Sequence, residues 1–273
     1  MIMLSAPPDD VASEICERLG ATLGRPLGRG AAKHSYLASM PVYGTVALKI
    51  LDPAFSAERL AREVEAMRRC NHEHIGRLFQ FDHITIRGTV FPYLIEEFLS
   101  GGSLQDWTHQ NGLLMPRSAQ DVCRKISAAI AHLRDLNLVH RDIKPANILL
   151  RSGVDTPVLT DFGIVRDLSG SALTQSFVGQ GPGTPLFAAP EQLRNEKALI
   201  DWRTDQFCLG VAISICAMGK HPYAQHGDTS VSCVSRVSQR QGPRTTFVEE
   251  CEAVGLLALA KMVSPWPVHR FRS

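Results

Sequence analysis

Two short stretches of this chain carry side chains whose types and spacing suit the transfer of a phosphoryl group. The first is His140-Arg141-Asp142-Ile143-Lys144-Pro145-Ala146-Asn147, and the second, Asp161-Phe162-Gly163, begins fourteen residues after Asn147. Phosphoryl transfer asks for little covalent chemistry from a protein. It needs a group to accept the proton of the attacking hydroxyl, and oxygen ligands for the magnesium ions that offset charge on the moving phosphoryl group. Asp142 can fill the first role, and Asn147 and Asp161 the second. A solvated polar loop is a poor account of so many residue types at fixed offsets.

Elements able to position these groups can be read around them. Pro7-Pro8 leads into Asp9 and Asp10, which suit the caps of a short accessory helix whose apolar residues Val11, Ile15 and Leu19 recur at helical spacing. Short β-prone segments follow at Leu27, Tyr36-Leu37 and Val46 to Ile50, with glycine turns between them, and predict a meander. Ala57 to Cys70 has a charged helical pattern, and Tyr93 to Ile95 predicts an apolar strand before Gly101-Gly102. From Ser118 the spacing of Val122, Ile126, Ile130 and Leu133 is helical, so an α-rich part carries the two chemical motifs. The nearly apolar run Phe207 to Met218 predicts a buried helix, since it is too short to cross a bilayer. No internal repeat or low-complexity linker is evident.

From Gly28 to Arg270 the chain resembles the eukaryotic-like (Hanks-type) serine/threonine protein kinases, with the family's motifs in the family's order. The resemblance implies an α+β, two-lobed kinase fold: a small β-rich lobe over residues 1–99, with the accessory helix and a hinge, and a larger α-rich lobe over 100–273. It also implies ATP and Mg2+ as the small partners. Gly28-Arg29-Gly30 starts a loop in which glycine lets the backbone present N–H groups to phosphate oxygens. Here the sequence departs from the family, because Lys33 replaces the third glycine and Ser35 the apolar residue after it. Lys33 could touch a phosphate or face solvent.

The resemblance assigns further roles. Lys49, next to Ala47 in the nucleotide-binding set, would pair with the α- and β-phosphates, and Glu63, nine residues before His72, would be its ion-pair partner on the regulatory helix, with Glu65 as fallback. Leu94 to Leu99 resembles the adenine-binding hinge, through Glu97 carbonyl and Leu99 amide. That register puts Glu96 at the position gating the back pocket, where a carboxylate is unusual; it could bind Lys49, bond the adenine or point elsewhere. Asp142 would be the base, Lys144 would steady the γ-phosphate, Asn147 and Asp161 would hold the metal, and Thr184 would shape the acceptor floor. Lys144 two residues after the base is the serine/threonine form of this loop. Glu191, Arg270 and Asp205 match structural residues that small-molecule kinases generally lack. Thr174 and Ser176 are the expected phosphorylation sites of the activation segment, read by Arg141 and Arg166.

Composition narrows the function classes. Of 273 residues, 44% are hydrophobic and 21% charged, with a formal net charge of +2, which fits a globular chain and gives no basic surface for nucleic acid. Seven cysteines without CxxC spacing predict reduced thiols, and residues 1–10 carry no basic residue and quickly turn acidic, so a cytoplasmic protein without a membrane segment is expected. His72-Glu73-His74 does not complete a metal site and matches the family's turn after the regulatory helix. The expected activity is phosphorylation of protein Ser/Thr hydroxyls, with self-association for trans-autophosphorylation. The rival readings are a nucleotide-binding pseudokinase or scaffold, motivated by Lys33, Ser35 and Glu96, and a small-molecule phosphotransferase.

Overall fold

The computed structural model describes residues 9–29, 33–54, 56–162, 166–167 and 184–272. Gly30, Gly163, Thr174, Ser176 and the side chain of Thr184 lie outside the described residues. The chain forms two compact units, one of residues 1–71 with 76–98, the other of 72–75 with 99–273. The division thus falls one residue earlier than the boundary drawn from the sequence. The short stretch 72–75 also joins the second unit, because the His74 ring bonds the Pro157 carbonyl at 2.9 Å and the His74 carbonyl accepts the Leu159 N–H at 2.9 Å.

In the first unit, helix α1 (Asp9–Arg18) precedes strands β1 (Thr22–Arg29), β2 (Lys33–Met40) and β3 (Gly44–Leu51); helix α2 (Ala57–Arg69) follows, then β4 (Leu78–Ile86) and β5 (Thr89–Glu97). The strands make one antiparallel sheet in the order β1-β2-β3-β5-β4. Pro26 is tolerated in β1 because β1 is an edge strand, and the ladder slips on either side of it. Period-two alternation gives the sheet two apolar faces. Tyr36, Ala38, Leu48, Ile50, Tyr93 and Ile95 pack with Val11, Ile15 and Cys16 of α1, while Leu51 and Leu94 pack with Leu60 and Val64 of α2. Asp9 and Asp10 do not cap α1 from outside but sit in its first turn, where carboxylates favour the helix dipole. Strand β4 was not legible in the sequence, since Gln80, Asp82 and His83 interrupt its apolar residues at the sheet edge.

The second unit is mainly helical: α3 (Leu104–Asn111), α4 (Pro116–Asp135), α5 (Pro190–Leu193), α6 (Trp202–Met218), α7 (Ser230–Ser238), α8 (Phe247–Ala253) and α9 (Ala258–Met262). Two small antiparallel pairs join β6 (Leu138–Val139) to β9 (Arg166–Asp167) and β7 (Ile148–Leu150) to β8 (Pro157–Leu159). Val122, Ile126, Ile130 and Leu133 form the buried stripe of α4 that their spacing predicts. Helix α6 is the buried apolar run of the sequence, capped by Asp201, whose carboxylate accepts the Arg203 N–H at 2.8 Å. Gly210 allows α6 and α9 to approach, because a Cβ there would lie 2.8 Å from Val263. No helix among the described residues is long and apolar enough to cross a membrane. All seven cysteines are unpaired.

Candidate active site

The loop from His140 to Asn147 runs from β6 into a 3-10 turn over Pro145–Asn147, where proline presets the backbone angle. Its backbone is hung on one buried carboxylate. Asp205 of α6 accepts the His140 N–H through Oδ2 and the Arg141 N–H through Oδ1, each at 2.8 Å. Burial pushes the Asp205 carboxyl up to about 7, against the pull of these two amides. With each oxygen already accepting an N–H, the geometry suits the ionised form. A second support was not read from the sequence: the Gln192 amide donates to the Arg141 carbonyl at 2.8 Å, where Arg141 adopts φ +71°.

Within that loop three expected residues converge. Lys144 Nζ lies 2.8 Å from Asp142 Oδ2, and Asn147 Nδ2 donates to the same oxygen at 2.9 Å and to the Asp142 carbonyl at 2.9 Å. Burial raises the Asp142 carboxyl above its ordinary value, and Lys144 draws it back. The His140 imidazole orders the loop from inside. Its Nδ1 accepts the Asp142 N–H at 3.3 Å, so Nε2 carries the proton toward the Thr160 carbonyl at 3.1 Å. Burial lowers His140 to about 4, keeping the ring neutral near pH 7.

The fourteen-residue spacing between Asn147 and Asp161 has a simple cause. Ile148 pairs with Leu159 and Leu150 with Pro157, so the hairpin returns the chain to its start. There Thr160 donates its N–H to the Asn147 carbonyl at 2.9 Å, with its hydroxyl at 3.2 Å. Thr160 is a positioning residue that the sequence signalled only by preceding Asp161. Asp161 itself sits at φ +65°, and Phe162 anchors the segment, fully buried with its ring edge-on to His140 at 5.0 Å.

Glu191 and Arg270 meet in a two-point ion pair, and Thr204 Oγ1 also donates to Glu191 at 2.9 Å. The Arg270 guanidinium further bonds the carbonyls of Ser264 and Arg203. Thr184 opens a short 3-10 turn that leads toward α5. The backbone of Arg166 pairs with Val139, two residues before Arg141.

The first unit carries the other half of the expected set, and here the pairing differs from expectation. Lys49 Nζ lies 2.7 Å from Glu96 Oε2, whereas Glu63 Oε1 lies 2.5 Å from Lys33 Nζ. The expected Lys49–Glu63 pair is therefore replaced by two other pairs. Sheet register explains the exchange: Ala47 pairs with Glu96 and Lys49 with Leu94, which brings Glu96 beside Lys49 on one face of the sheet. Of the three orientations open to Glu96, the structure adopts the one that binds Lys49. Gly28 and Arg29 end β1, opposite Ser35 and His34. Ala47 is buried, and Glu97 donates its N–H to the Arg77 carbonyl at 2.9 Å. Leu99, 5% exposed, belongs to the second unit. The His72 and His74 rings lie 5.7 Å apart, and no metal-binding group of His, Cys, Asp or Glu occurs among the described residues.

A family model described as protein kinase domain matches residues 22–254. Among similar proteins are a probable serine/threonine-protein kinase of Streptomyces coelicolor, 30% identical over 268 residues (94% of this chain and 39% of that protein), and the serine/threonine-protein kinase PknB of Mycolicibacterium smegmatis, 31% identical over 254 residues (88% and 39%). PknB of Mycobacterium tuberculosis is 30% identical over 254 residues, again with 88% and 39% covered. The chain thus spans 39% of the length of these relatives.

Proposed function

This chain belongs to the protein kinase domain family, and on that premise we propose that it transfers the γ-phosphate of ATP to serine and threonine hydroxyls of proteins. One observation carries the reading: Lys144 and Asn147 both bind the same oxygen of Asp142, in a loop held by Asp205. That leaves Asp142 Oδ1 to accept the proton of an incoming hydroxyl. Burial, by raising the Asp142 carboxyl, makes it a better proton acceptor than an exposed aspartate. Lys144, tied to Asp142, supplies the cation that steadies the transferred phosphoryl group.

Magnesium, when bound, would offset charge on the β- and γ-phosphates. Asn147 and Asp161 fit such an ion by chemistry, since both offer hard oxygen donors. The Asn147 amide nitrogen is already committed to Asp142, which turns its oxygen free for a cation. Gly28, Arg29, Gly30 and Lys49 would bind the phosphates, Lys33 being held by Glu63, while Ala47, Glu97 and Leu99 would bind the adenine and Thr184 would shape the acceptor floor. Serine/threonine specificity is supported by Lys144 and by the names of the relatives. Unpaired cysteines fit a reducing compartment, so we place the domain in the cytoplasm.

A second reading, a nucleotide-binding scaffold, is favoured by the engagement of Lys49 with Glu96. One experiment separates them: incubation with radiolabelled ATP and magnesium, alone and with a generic protein substrate, followed by identification of the phosphorylated amino acid. Phosphoserine or phosphothreonine that disappears in Asp142→Asn supports the kinase. ATP binding without any transfer supports the scaffold.

A further inference from the structure

The exchanged lysines are built into the sheet. Lys33 pairs with Leu51, Ser35 with Lys49, Lys49 with Leu94 and Ala47 with Glu96. Directly paired residues share a face, and residues two apart on one strand share it as well. Lys33, Lys49 and Glu96 therefore stand on the same face as Leu51 and Leu94. That face packs on Leu60 and Val64 of α2, the helix that carries Glu63. Two lysines and two carboxylates thus gather at one sheet-helix junction.

Neither pair is an exposed surface bridge. The side chains of Lys33 and Glu63 are 17% and 2% exposed, and those of Lys49 and Glu96 are 17% and 7% exposed. A carboxylate as buried as Glu63 needs a cation, and removing that cation is costly. Lys33 supplies it from β2. Glu63 Oε2 is buried with no hydrogen-bond partner among the described residues, so the Oε1 contact to Lys33 is what satisfies this carboxylate.

We propose that Lys33 is the positioning residue for α2, acting through Glu63, while Glu96 holds Lys49 at rest. Two lysines divide work that the family pattern gives to Lys49. The proposal rests on the reading of this unit as ATP-binding. Its consequence is that Lys49 can leave Glu96 for the phosphates without releasing α2, because Lys33 keeps Glu63 in place. Lys33 thereby compensates for standing where a third loop glycine is expected.

The test is amide hydrogen exchange on the full chain, with ATP kinetics on the same preparations. In Lys33→Met, exchange across Ala57–Arg69 should run roughly tenfold faster than in the unaltered protein, while α4 and α6 keep their protection. Glu63→Gln should reproduce the effect, and Lys33→Arg should largely restore protection. Lys49→Met should leave α2 exchange unchanged but raise the KM for ATP, whereas Lys33→Met should lower kcat with a smaller change in KM. Faster α2 exchange in Lys49→Met and not in Lys33→Met overturns the proposal, as does acceleration spread equally over both units. The exchange measurement requires no catalysis, so it stands even if the protein transfers no phosphate, and that failure would count against the proposed function alone.

Discussion

Arg270 and Glu191, 79 residues apart in the chain, meet at 2.6 and 3.0 Å with neither side chain exposed to solvent. The pair ties the end of the described chain to the start of α5, and Thr204 brings in α6 through the same carboxylate. Removing one partner of a fully buried pair strands the other charge, which typically costs about 3–5 kcal/mol. Arg270→Ala should therefore lower the urea midpoint substantially, while Arg270→Lys recovers part of the loss. A loss below about 1 kcal/mol, the range of exposed pairs, would show that Thr204 and the surrounding dipoles suffice.

Asp142→Asn keeps shape and hydrogen-bonding capacity but removes the proton acceptor. Turnover should fall by ~10²- to 10⁴-fold with ATP affinity nearly unchanged. Transfer rate and nucleotide affinity, measured on one preparation, check this; an unaltered rate removes Asp142 from the role of base.

Glu96→Met should raise basal transfer, because Lys49 would be released to phosphate oxygens or to Glu63 Oε2, which has no hydrogen-bond partner among the described residues. If Glu96 instead orients Lys49 productively, the same change raises the KM for ATP and lowers the rate. Steady-state kinetics at varied ATP distinguish these results.

Acid should loosen the second unit before it affects most carboxylates. Burial lowers both His140 and His221 to about 4, and in each ring Nδ1 accepts the backbone N–H of the residue two positions on. Between about 4 and the ordinary 6.5 the unfolded state binds protons that the folded state refuses, so stability present above pH 6.5 is lost as pH falls through this window. Each histidine contributes a slope on the order of 1 kcal/mol per pH unit. Glu250, lowered to about 2 by Arg244, acts only at more acid pH. Urea unfolding at pH 7.5 and 5 should give a clear loss for the unaltered protein and a smaller one for His221→Asn. Equal losses would exclude His221 as a source.

Thr174 and Ser176 should gain phosphate when the protein is incubated with ATP and magnesium. The expected readers of a phosphate of charge about −1.5 to −2 are Arg141 and Arg166; of Arg166 the structure describes the backbone, which pairs with Val139, two residues before Arg141. Mass spectrometry against Asp142→Asn decides it. Transfer to substrate without phosphate on either residue would place the switch elsewhere.

The sequence alone determined the family, the order of its motifs and the four longest helices, α1, α2, α4 and α6, because these signals are local. Spacing in α4 and the apolar run of α6 reflect the period of a helix, and the residues of the His140–Asn147 loop lie too close in the chain to be placed far apart. Asp161 was legible from its motif and spacing, whereas the β7–β8 hairpin that returns it to Asn147 came only from the structure. Strand β4 escaped, since an edge strand half open to water need not alternate cleanly. Gln192 and Thr160 escaped because their roles lie in amide and carbonyl contacts to distant backbone. Only the tertiary structure decided which carboxylate each lysine meets. Lys33, Lys49, Glu63 and Glu96 are all plain in the sequence, but any of the four pairings satisfies charge. Strand register puts both lysines and Glu96 on the face that packs against α2, and at that junction distances of a few ångströms, which no one-dimensional pattern carries, choose the partners.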